Sequence, residues 1–276
     1  MEIGNNEITK LIDNLKLIFY LDYNHFSYSI FNIHNNCFEK IKNYTIDVDK
    51  NRFSEEIQNI IKTDSDLCQK YKTIIGSIDI KPCTFIPEIL FDKTNINDYL
   101  NFTSKINKNE TCIYNKQQFA DCYSIFPINN TLLSILQCNF NKLKIKNTGS
   151  VFVDYALNLS DKNNTEIFTQ INEKDFHIAL IKQSQFIFYN KFTFNNVADF
   201  VYHFMNCIRI LDIDILKVKI NFMSNLEKKN MLFDKIKKYV KTISFITRPR
   251  EFLYQNDIVE DSEHKHHNLF SQLICE

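Results

Sequence analysis

The feature that most constrains the fold is a similarity between two apolar stretches, one in each half of this 276-residue chain. Placing DYNHFSYSIF (22–31) over NEKDFHIALI (172–181) superposes Phe26 on Phe176. Each stretch opens a series of elements in the same order, so the pattern predicts a duplicated lobe. A chance likeness between two apolar hairpins is the alternative interpretation, because few of the paired residues are identical.

The second half of the chain has a βββαβαβ order of predicted elements. Apolar runs predict its strands, at 166–171, 176–181, 186–189, 216–223 and 242–246. Its clearest helix follows the start signal Asn195-Asn196 and has an apolar face spaced by three and four residues. A second helix is predicted over 226–240. Antiparallel strands followed by right-handed crossovers give a mixed sheet with helices on its faces.

The first half repeats this order up to its first crossover. Its main elements are strands near 16–22, 25–33 and 38–46, a helix that begins near Phe53, and the strand TIIGSIDI at 73–80. Later come a helix at 94–103, a strand near TCIY, and helices around NTLLSILQCNF and SVFVDYALNL. Polar turn formers lie between 145 and 165, and we divide the chain there into lobes of residues 1–147 and 148–276.

Composition and charge exclude several classes of protein. The 33 basic and 33 acidic residues cancel, so we expect no nucleic-acid partner. The longest apolar runs fall short of the roughly 20 residues that span a bilayer, which excludes membrane insertion. The polar start MEIGNNEITK does not resemble a signal peptide. Eight cysteines without a C-x-x-C pair fit reduced thiols, so we expect a cytoplasmic protein.

Two further stretches carry a family signal. In FIFYNKFTFNNVADFVYHF (186–204) an aromatic strand leads through Asn190 and Phe192 into a helix, and the chain ends in HHNLFSQLICE (266–276). With length and element order, they resemble a bacterial family of uncharacterised proteins with an actin-like fold. The resemblance covers nearly the whole chain. It implies an α/β fold of two ribonuclease H-like lobes with mixed sheets, as in the superfamily of actin, sugar kinases and heat-shock chaperones, and it implies no reaction.

The hairpin turns test whether this resemblance extends to nucleotide chemistry. In active members of the superfamily, the first turn of each lobe has an Asp and small residues, so that backbone N–H groups approach phosphate and carboxylates hold magnesium. Here the first turn is Asp22-Tyr23-Asn24, which keeps the Asp, and the second is Asn172-Glu173-Lys174, which does not. The resemblance therefore implies a degenerate site, whose nucleotide-facing positions are Asp22, Asn24, Asn172 and Lys174.

Glycine scarcity points in the same direction. The chain has only Gly4, Gly76 and Gly149, so neither a Walker loop, nor G-x-G-x-x-G, nor a paired-glycine adenosine motif can be written. Phosphate loops need close backbone approach, which glycine permits. This absence is the main reason to doubt an ATPase.

Two other groups of side chains have a chemical and a structural interpretation. The tail brings carboxylates near three histidines, which can bind a divalent metal or form a surface cluster without metal: Asp261, Glu263, His264, His266 and His267. Their irregular spacing favours the second interpretation, so we expect no metal site. On the strong helix Cys207 follows His203 by four residues, but its apolar neighbours favour a buried thiol over a nucleophile.

We therefore expect a non-catalytic, actin-like scaffold that acts through an unknown protein partner, with a degenerate nucleotide cleft and no cofactor. The alternative is a nucleotide-binding switch or phosphotransferase that uses the interlobe cleft, with Asp22 as its metal-side carboxylate. A phosphate position filled by Tyr23 and Asn24 favours the scaffold. An open cleft in which Asp22, Lys174 and free backbone N–H groups converge favours the nucleotide binder.

Overall fold

A computed structural model describes residues 14–103, 105–224, 226 and 230–276 of the chain. Its strands are β1 (Leu15–Leu21), β2 (His25–Asn32), β3 (Cys37–Thr45), β4 (Thr73–Ile78), β5 (Thr84–Pro87), β6 (Glu110–Lys116), β7 (Cys122–Asn129), β8 (Leu143–Asn147), β9 (Thr165–Ile171), β10 (Asp175–Lys182), β11 (Gln185–Thr193), β12 (Lys219–Ser224), β13 (Thr242–Phe245) and β14 (Leu253–Tyr254). Its α-helices are α1 (Phe53–Thr63), α2 (Ile96–Asn101), α3 (Asn130–Asn139), α4 (Thr148–Leu159), α5 (Val197–Ile210), α6 (Met231–Ile236), α7 (Asn256–Val259) and α8 (His267–Ile274).

The strands form three sheets. A six-stranded sheet in the order β14-β3-β2-β1-β4-β8 is the centre of the first lobe, and a five-stranded sheet in the order β11-β10-β9-β12-β13 is the centre of the second. A three-stranded sheet, β5-β7-β6, forms a small additional unit. In both large sheets the first three strands are antiparallel and the strand after the helix adds in parallel, so each sheet is mixed.

Backbone hydrogen bonds repeat between the two lobes and confirm the predicted duplication. In the first turn the Asp22 amide donates to the His25 carbonyl at 3.0 Å, and in the second the Asn172 amide donates to the Asp175 carbonyl at 2.9 Å. The irregularity between the second and third strands also recurs, after Ile30 in one lobe and after its predicted counterpart Leu180 in the other. Equivalent bonds and bulges at equivalent positions make a chance likeness untenable.

Two helices between the large sheets determine how the lobes face each other. α4 packs against β10 and β11 of the second lobe and against β4 and β8 of the first, while α8 packs against α4, β1 and β4. α4 is apolar around most of its circumference and buried from Thr148 to Leu157, as a helix between two sheets requires. The last part of the chain therefore returns to the first lobe, where β14 pairs with β3.

Asparagine side chains start several helices. Asn196 accepts hydrogen bonds from the amides of Ala198 and Asp199 at the start of α5, as the Asn195-Asn196 signal predicted. Asn129 and Asn147 cap α3 and α4 in the same way. Short polar caps of this kind place each helix directly after the preceding strand or loop.

Several predicted elements differ from the structure. Apolar side chains on both faces of residues 186–189 predict a strand buried in the sheet, but β11 is an edge strand and is only partly covered. The helix expected over 226–240 extends in the described residues from Met231 to Ile236 only. The small sheet was not predicted as a unit, because β5 and β7 have short or continuous apolar patterns without clear turn signals. Of the helices in the described ranges, none has the length and apolar character to cross a membrane.

Candidate functional site

A cleft of about 870 Å³ lies between the first hairpin turns of the two lobes. Four side chains predicted from the two turns all contribute to its lining: Asp22, Asn24, Asn172 and Lys174. Duplication explains this meeting, because equivalent turns of two facing lobes lie on opposite walls of one cleft. A cavity of this size is in the range of small-molecule sites.

The first turn uses its own carboxylate to satisfy its backbone. Asp22 Oδ1 accepts hydrogen bonds from the amides of Asn24 and His25, both at 2.6 Å, and Asp22 Oδ2 accepts one from the Tyr20 hydroxyl at 2.8 Å. A phosphate would need those same amides as donors. The turn is therefore closed on itself by Asp22, which is a conformation that a short acidic side chain favours.

Neither of the other two residues of this turn fills a phosphate position. The Tyr23 ring packs edge-on against Phe53 of α1 with a centroid distance of 5.2 Å, and the Lys50 ammonium lies 4.8 Å from the Tyr23 ring centroid. Asn24 is exposed. The cleft beside the first turn is therefore open, and the filled phosphate position expected of a scaffold is not observed. The free backbone N–H groups expected of a nucleotide binder are not observed at this turn either, because Asp22 accepts hydrogen bonds from the amides of Asn24 and His25.

The second turn is bound to groups of both lobes through one amide. Asn172 Nδ2 donates to Asp175 Oδ1 at 2.7 Å and to Asp79 Oδ2 at 3.2 Å, and Asp79 belongs to the first lobe. Glu173 and Lys174 are exposed. Across the cleft, His25 Nε2 lies 3.9 Å from Glu173 Oε1.

The centre of the cleft floor is a buried charge network around Asp79, which directly follows β4. Asp79 Oδ1 accepts a hydrogen bond from Lys191 Nζ at 2.7 Å, and Asp79 Oδ2 lies 3.1 Å from His177 Nε2. Lys191 Nζ also lies 3.1 Å from Asp175 Oδ2. The side chains of Asp79 and His177 are 1% and 0% exposed. Since Lys191 and His177 belong to the second lobe, the network joins the two lobes.

The ionisation of this network follows from its burial and its partners. Burial by itself raises the pKa of the Asp79 carboxyl group. The opposite effect of His177 and Lys191 is larger, and the pKa is lowered to about 2. Burial lowers the pKa of Lys191, and the carboxylates of Asp79 and Asp175 more than compensate and raise it. Both shifts favour the charged forms, so Asp79 and Lys191 are a carboxylate–ammonium pair at neutral pH.

A metal could be held here only in competition with Lys191. Ligand atoms of Asp79, Asp175 and His177 lie within 4.8 Å of one another, a set of two oxygens and one nitrogen suited to a divalent cation. The Lys191 ammonium, however, lies at hydrogen-bonding distance from both carboxylates. The first-turn carboxylate, Asp22, is engaged in its own turn. The residues present do not fit a magnesium–nucleotide complex of the kind that the superfamily binds.

The histidines of the tail do not form a surface cluster, and that interpretation was wrong. His264 and His267 are 3% and 2% exposed, and their Nε2 atoms lie 2.9 and 3.0 Å from the carbonyl oxygens of Leu226 and Ile246. His266 Nε2 lies 2.8 Å from Asp261 Oδ2 in the cleft wall. These histidines bind neighbouring protein groups, so they do not converge on one metal position.

The buried interpretation of Cys207 is confirmed. Its side chain is in the core of the second lobe, and burial raises the pKa of its thiol to about 11. The His203 ring stacks on Phe192 at a centroid distance of 5.2 Å. A protonated, buried thiol is not a nucleophile.

Sequence reasoning missed the three residues at the centre of the network. His177 lies in an apolar run, which predicts a strand and no functional role. Lys191 lies just after a predicted strand, and no motif marks it as functional. Asp79 offered one signal, because it directly follows a buried strand, and strand ends at the cleft side of an α/β sheet are where ligands bind. Nothing in the sequence indicates that these three residues meet.

Two solved structures are similar to the whole chain. One is a protein from Bacteroides thetaiotaomicron with an actin-like ATPase fold and unknown function, which shares 19% identity and a TM-score of 0.80 over 97% of this chain and 98% of that chain. The other is the PilM-PilN type IV pilus biogenesis complex, at 5% identity and a TM-score of 0.60 over 94% of this chain and 96% of that chain. The protein therefore has the actin-like ATPase fold, as predicted.

The chain belongs to the family described as "Protein of unknown function (DUF3822)", whose profile matches residues 5–243. This confirms the predicted membership of an uncharacterised family with that fold. Among curated protein sequences, none matches this chain significantly.

Proposed function

We propose that this protein is a non-catalytic, actin-like scaffold of the cytoplasm, which acts through contacts with another protein and does not hydrolyse nucleotide. The observation that carries the proposal is the first turn. Its amides of Asn24 and His25 already bond to the Asp22 carboxylate at 2.6 Å, so a phosphate would have to displace a negatively charged acceptor.

The charges of the cleft support the same conclusion. Four lysines and five carboxylates line it, which gives a formal charge of −1 with neutral histidines: Lys50, Lys174, Lys191 and Lys265 against Asp22, Asp79, Glu173, Asp175 and Asp261. A triphosphate needs a positive field and a metal held by free carboxylates. In this cleft, Lys191 contacts the two carboxylates nearest the floor and offsets one of their two negative charges.

A role in assembly is supported by the fold and by the exposed surface. One of the similar solved structures is the PilM-PilN type IV pilus biogenesis complex, so a chain with a similar fold occurs there in a complex with a partner. In this chain, Ile89 and Phe102, which lie between β5 and β6 in the small-sheet unit (residues 84–129), are 92% and 88% exposed, so both apolar side chains are available for a protein contact.

The second candidate is a switch that binds a small polar ligand in the cleft. It is favoured by one observation, the open volume of about 870 Å³ between the lobes. This ligand would have to bind without the amides of the first turn, which distinguishes it from the nucleotides of active relatives.

Thermal unfolding with and without ATP and magnesium tests the scaffold proposal. We expect the Tm to be the same in both conditions, because binding to the native state alone would raise it. Asp22→Ala is the informative variant, since it frees the turn amides and is expected to increase any response to phosphate. A clear rise of the wild-type Tm with ATP and magnesium would contradict the proposal. So would release of phosphate from ATP at a rate higher than in buffer without protein.

A further inference from the structure

We propose that Asp79, Asp175 and His177 form a concealed divalent-cation site, in which the ammonium group of Lys191 takes the place of the metal ion. The proposal concerns the floor of the cleft and is independent of whether a nucleotide or a partner protein binds elsewhere.

The geometry places the ammonium between the two carboxylates that a bound cation would share. Lys191 Nζ is 2.7 Å from Asp79 Oδ1 and 3.1 Å from Asp175 Oδ2, and His177 Nε2 is 3.1 Å from the other oxygen of Asp79. Lys191 and His177 are directly opposite each other in the pairing of β10 with β11. Lys191 therefore extends from the strand that neighbours the imidazole ligand, and its ammonium reaches both carboxylates.

Burial makes a cation necessary at this position. The Asp79 side chain is 1% exposed, that of Lys191 is 10% exposed and that of Asp175 is 24% exposed. Removal of the ammonium would therefore leave the buried Asp79 carboxylate without its lysine partner, beside a second and partly exposed carboxylate. Uncompensated buried charge of this kind is strongly destabilising. A divalent ion bound to the same oxygens and to the imidazole would restore the balance, and Zn²⁺ and Mn²⁺ accept such a mixed ligand set.

A covalently attached cation has a structural consequence that a metal ion does not. Asp79 belongs to the first lobe, whereas Lys191, Asp175 and His177 belong to the second. Because Lys191 is part of the chain, the contact between the lobes does not depend on the supply of metal. The ion pair of Lys191 with Asp79 therefore joins the two lobes whether or not a divalent metal is supplied.

The test compares Lys191→Met with the wild type and with Lys174→Met, which removes an exposed lysine from the same cleft. In EDTA we expect a lower Tm for Lys191→Met only. Addition of Zn²⁺ or Mn²⁺ should restore a large part of that loss, and titration calorimetry should show metal binding that the other two proteins lack. The double variant Asp79→Asn/Lys191→Met loses one carboxylate ligand. Its Kd for the metal should therefore be at least about tenfold higher than that of Lys191→Met.

Either of two results would overturn the proposal. One is a folded Lys191→Met protein that shows no response to either metal. The other is a wild type that binds the metal as tightly as the variant, which would mean that Lys191 does not occupy the site. If Lys191→Met does not fold in EDTA, refolding with Zn²⁺ or Mn²⁺ is the readout, and failure to recover the far-UV and near-UV circular dichroism of the wild type counts against the site.

Discussion

At the scale of single residues, the two glycines in the described ranges mark places where a side chain approaches the backbone closely. A Cβ atom added to Gly76 in β4 would lie 2.1 Å from Cζ of Phe19, and one added to Gly149 would lie 2.0 Å from the Tyr189 hydroxyl oxygen. Neither glycine has a positive φ. Glycine is needed at these positions for packing, and not for a turn or for phosphate.

Gly76→Ala is therefore expected to destabilise the protein. Phe19 is fully buried, so overpacking should lower the free energy of unfolding by about 1–3 kcal/mol or more. Urea denaturation measures the loss. Phe19→Leu in the same chain should recover part of it, because the smaller side chain makes room for the new methyl group. Strictly additive effects of the two substitutions would contradict a direct clash.

At the scale of elements, α8 depends on buried polar side chains for its position between the lobes. Gln272 Nε2 donates to the Phe19 carbonyl oxygen and to Ser77 Oγ, both at 2.9 Å, which connects α8 to β1 and β4. At the start of the helix, His267 lies 3.0 Å from the Ile246 carbonyl oxygen. These bonds hold the helix in a single register against the first sheet.

The burial of His267 makes stability depend on pH. Burial lowers the pKa of His267 to about 4, from roughly 6.5 in the unfolded chain. The unfolded state then binds a proton that the folded state does not, so stability is complete above about pH 6.5 and falls as the pH decreases toward 4. The loss should reach roughly 3 kcal/mol for this group. His266, whose pKa burial also lowers, acts in the same direction.

Urea unfolding at pH 7 and pH 5 measures this effect. His267→Gln retains a donor for the Ile246 carbonyl and should show a smaller decrease between the two pH values. His25 opposes the trend, because its hydrogen bond to Asp22 raises its pKa and its contribution is present at low pH and lost at high pH. His25 is partly exposed, so its opposing contribution should be the smaller one. If the free energy of unfolding decreases equally between pH 7 and pH 5 for wild type and for His267→Gln, His267 is not the source of the pH dependence.

At the scale of the whole molecule, two duplicated lobes lie on either side of an open cleft. Ion pairs and hydrogen bonds around Asp79 connect the lobes at the floor of this cleft. Pairing of β14 with β3 and packing of α8 on β1 make the end of the chain part of the first lobe. The division of the chain at residue 147 stays a proposal. Residues 253–274 follow that boundary in sequence but pack into the core of the first lobe.

A scaffold needs an exposed contact surface, and the small-sheet unit is where we expect it. The triple variant Ile89→Asp/Leu90→Asp/Phe102→Asp should keep the wild-type Tm, because all three side chains are exposed. It should lose proteins that the wild type retains in affinity purification from the native host. Ile210→Asp, at a side chain of the second lobe that is 67% exposed, is the control. Identical sets of retained proteins for the triple variant and the wild type would exclude this surface.

Much of the fold could be predicted because it depends on local patterns. The apolar face of α5, its asparagine start signal and the repeated hairpins are all visible in contiguous sequence. The small sheet could not be predicted in the same way, since β5 and β7 pair across an intervening helix and strand. Of the cleft, the two turns were predicted, and the Asp79 network was not.

The sequence by itself determined the duplication, the element order and the absence of a glycine phosphate loop, because each depends on residue types within short stretches. Only the tertiary structure decided what occupies the cleft. Asp79 and Lys191 are 112 residues apart, and their contact depends on how two sheets pack around α4 and α8. The same packing buries His177 and His267. The tail histidines, which the sequence places in a surface cluster, are therefore structural groups inside the protein. Burial and distance in space are collective properties, which no local pattern records.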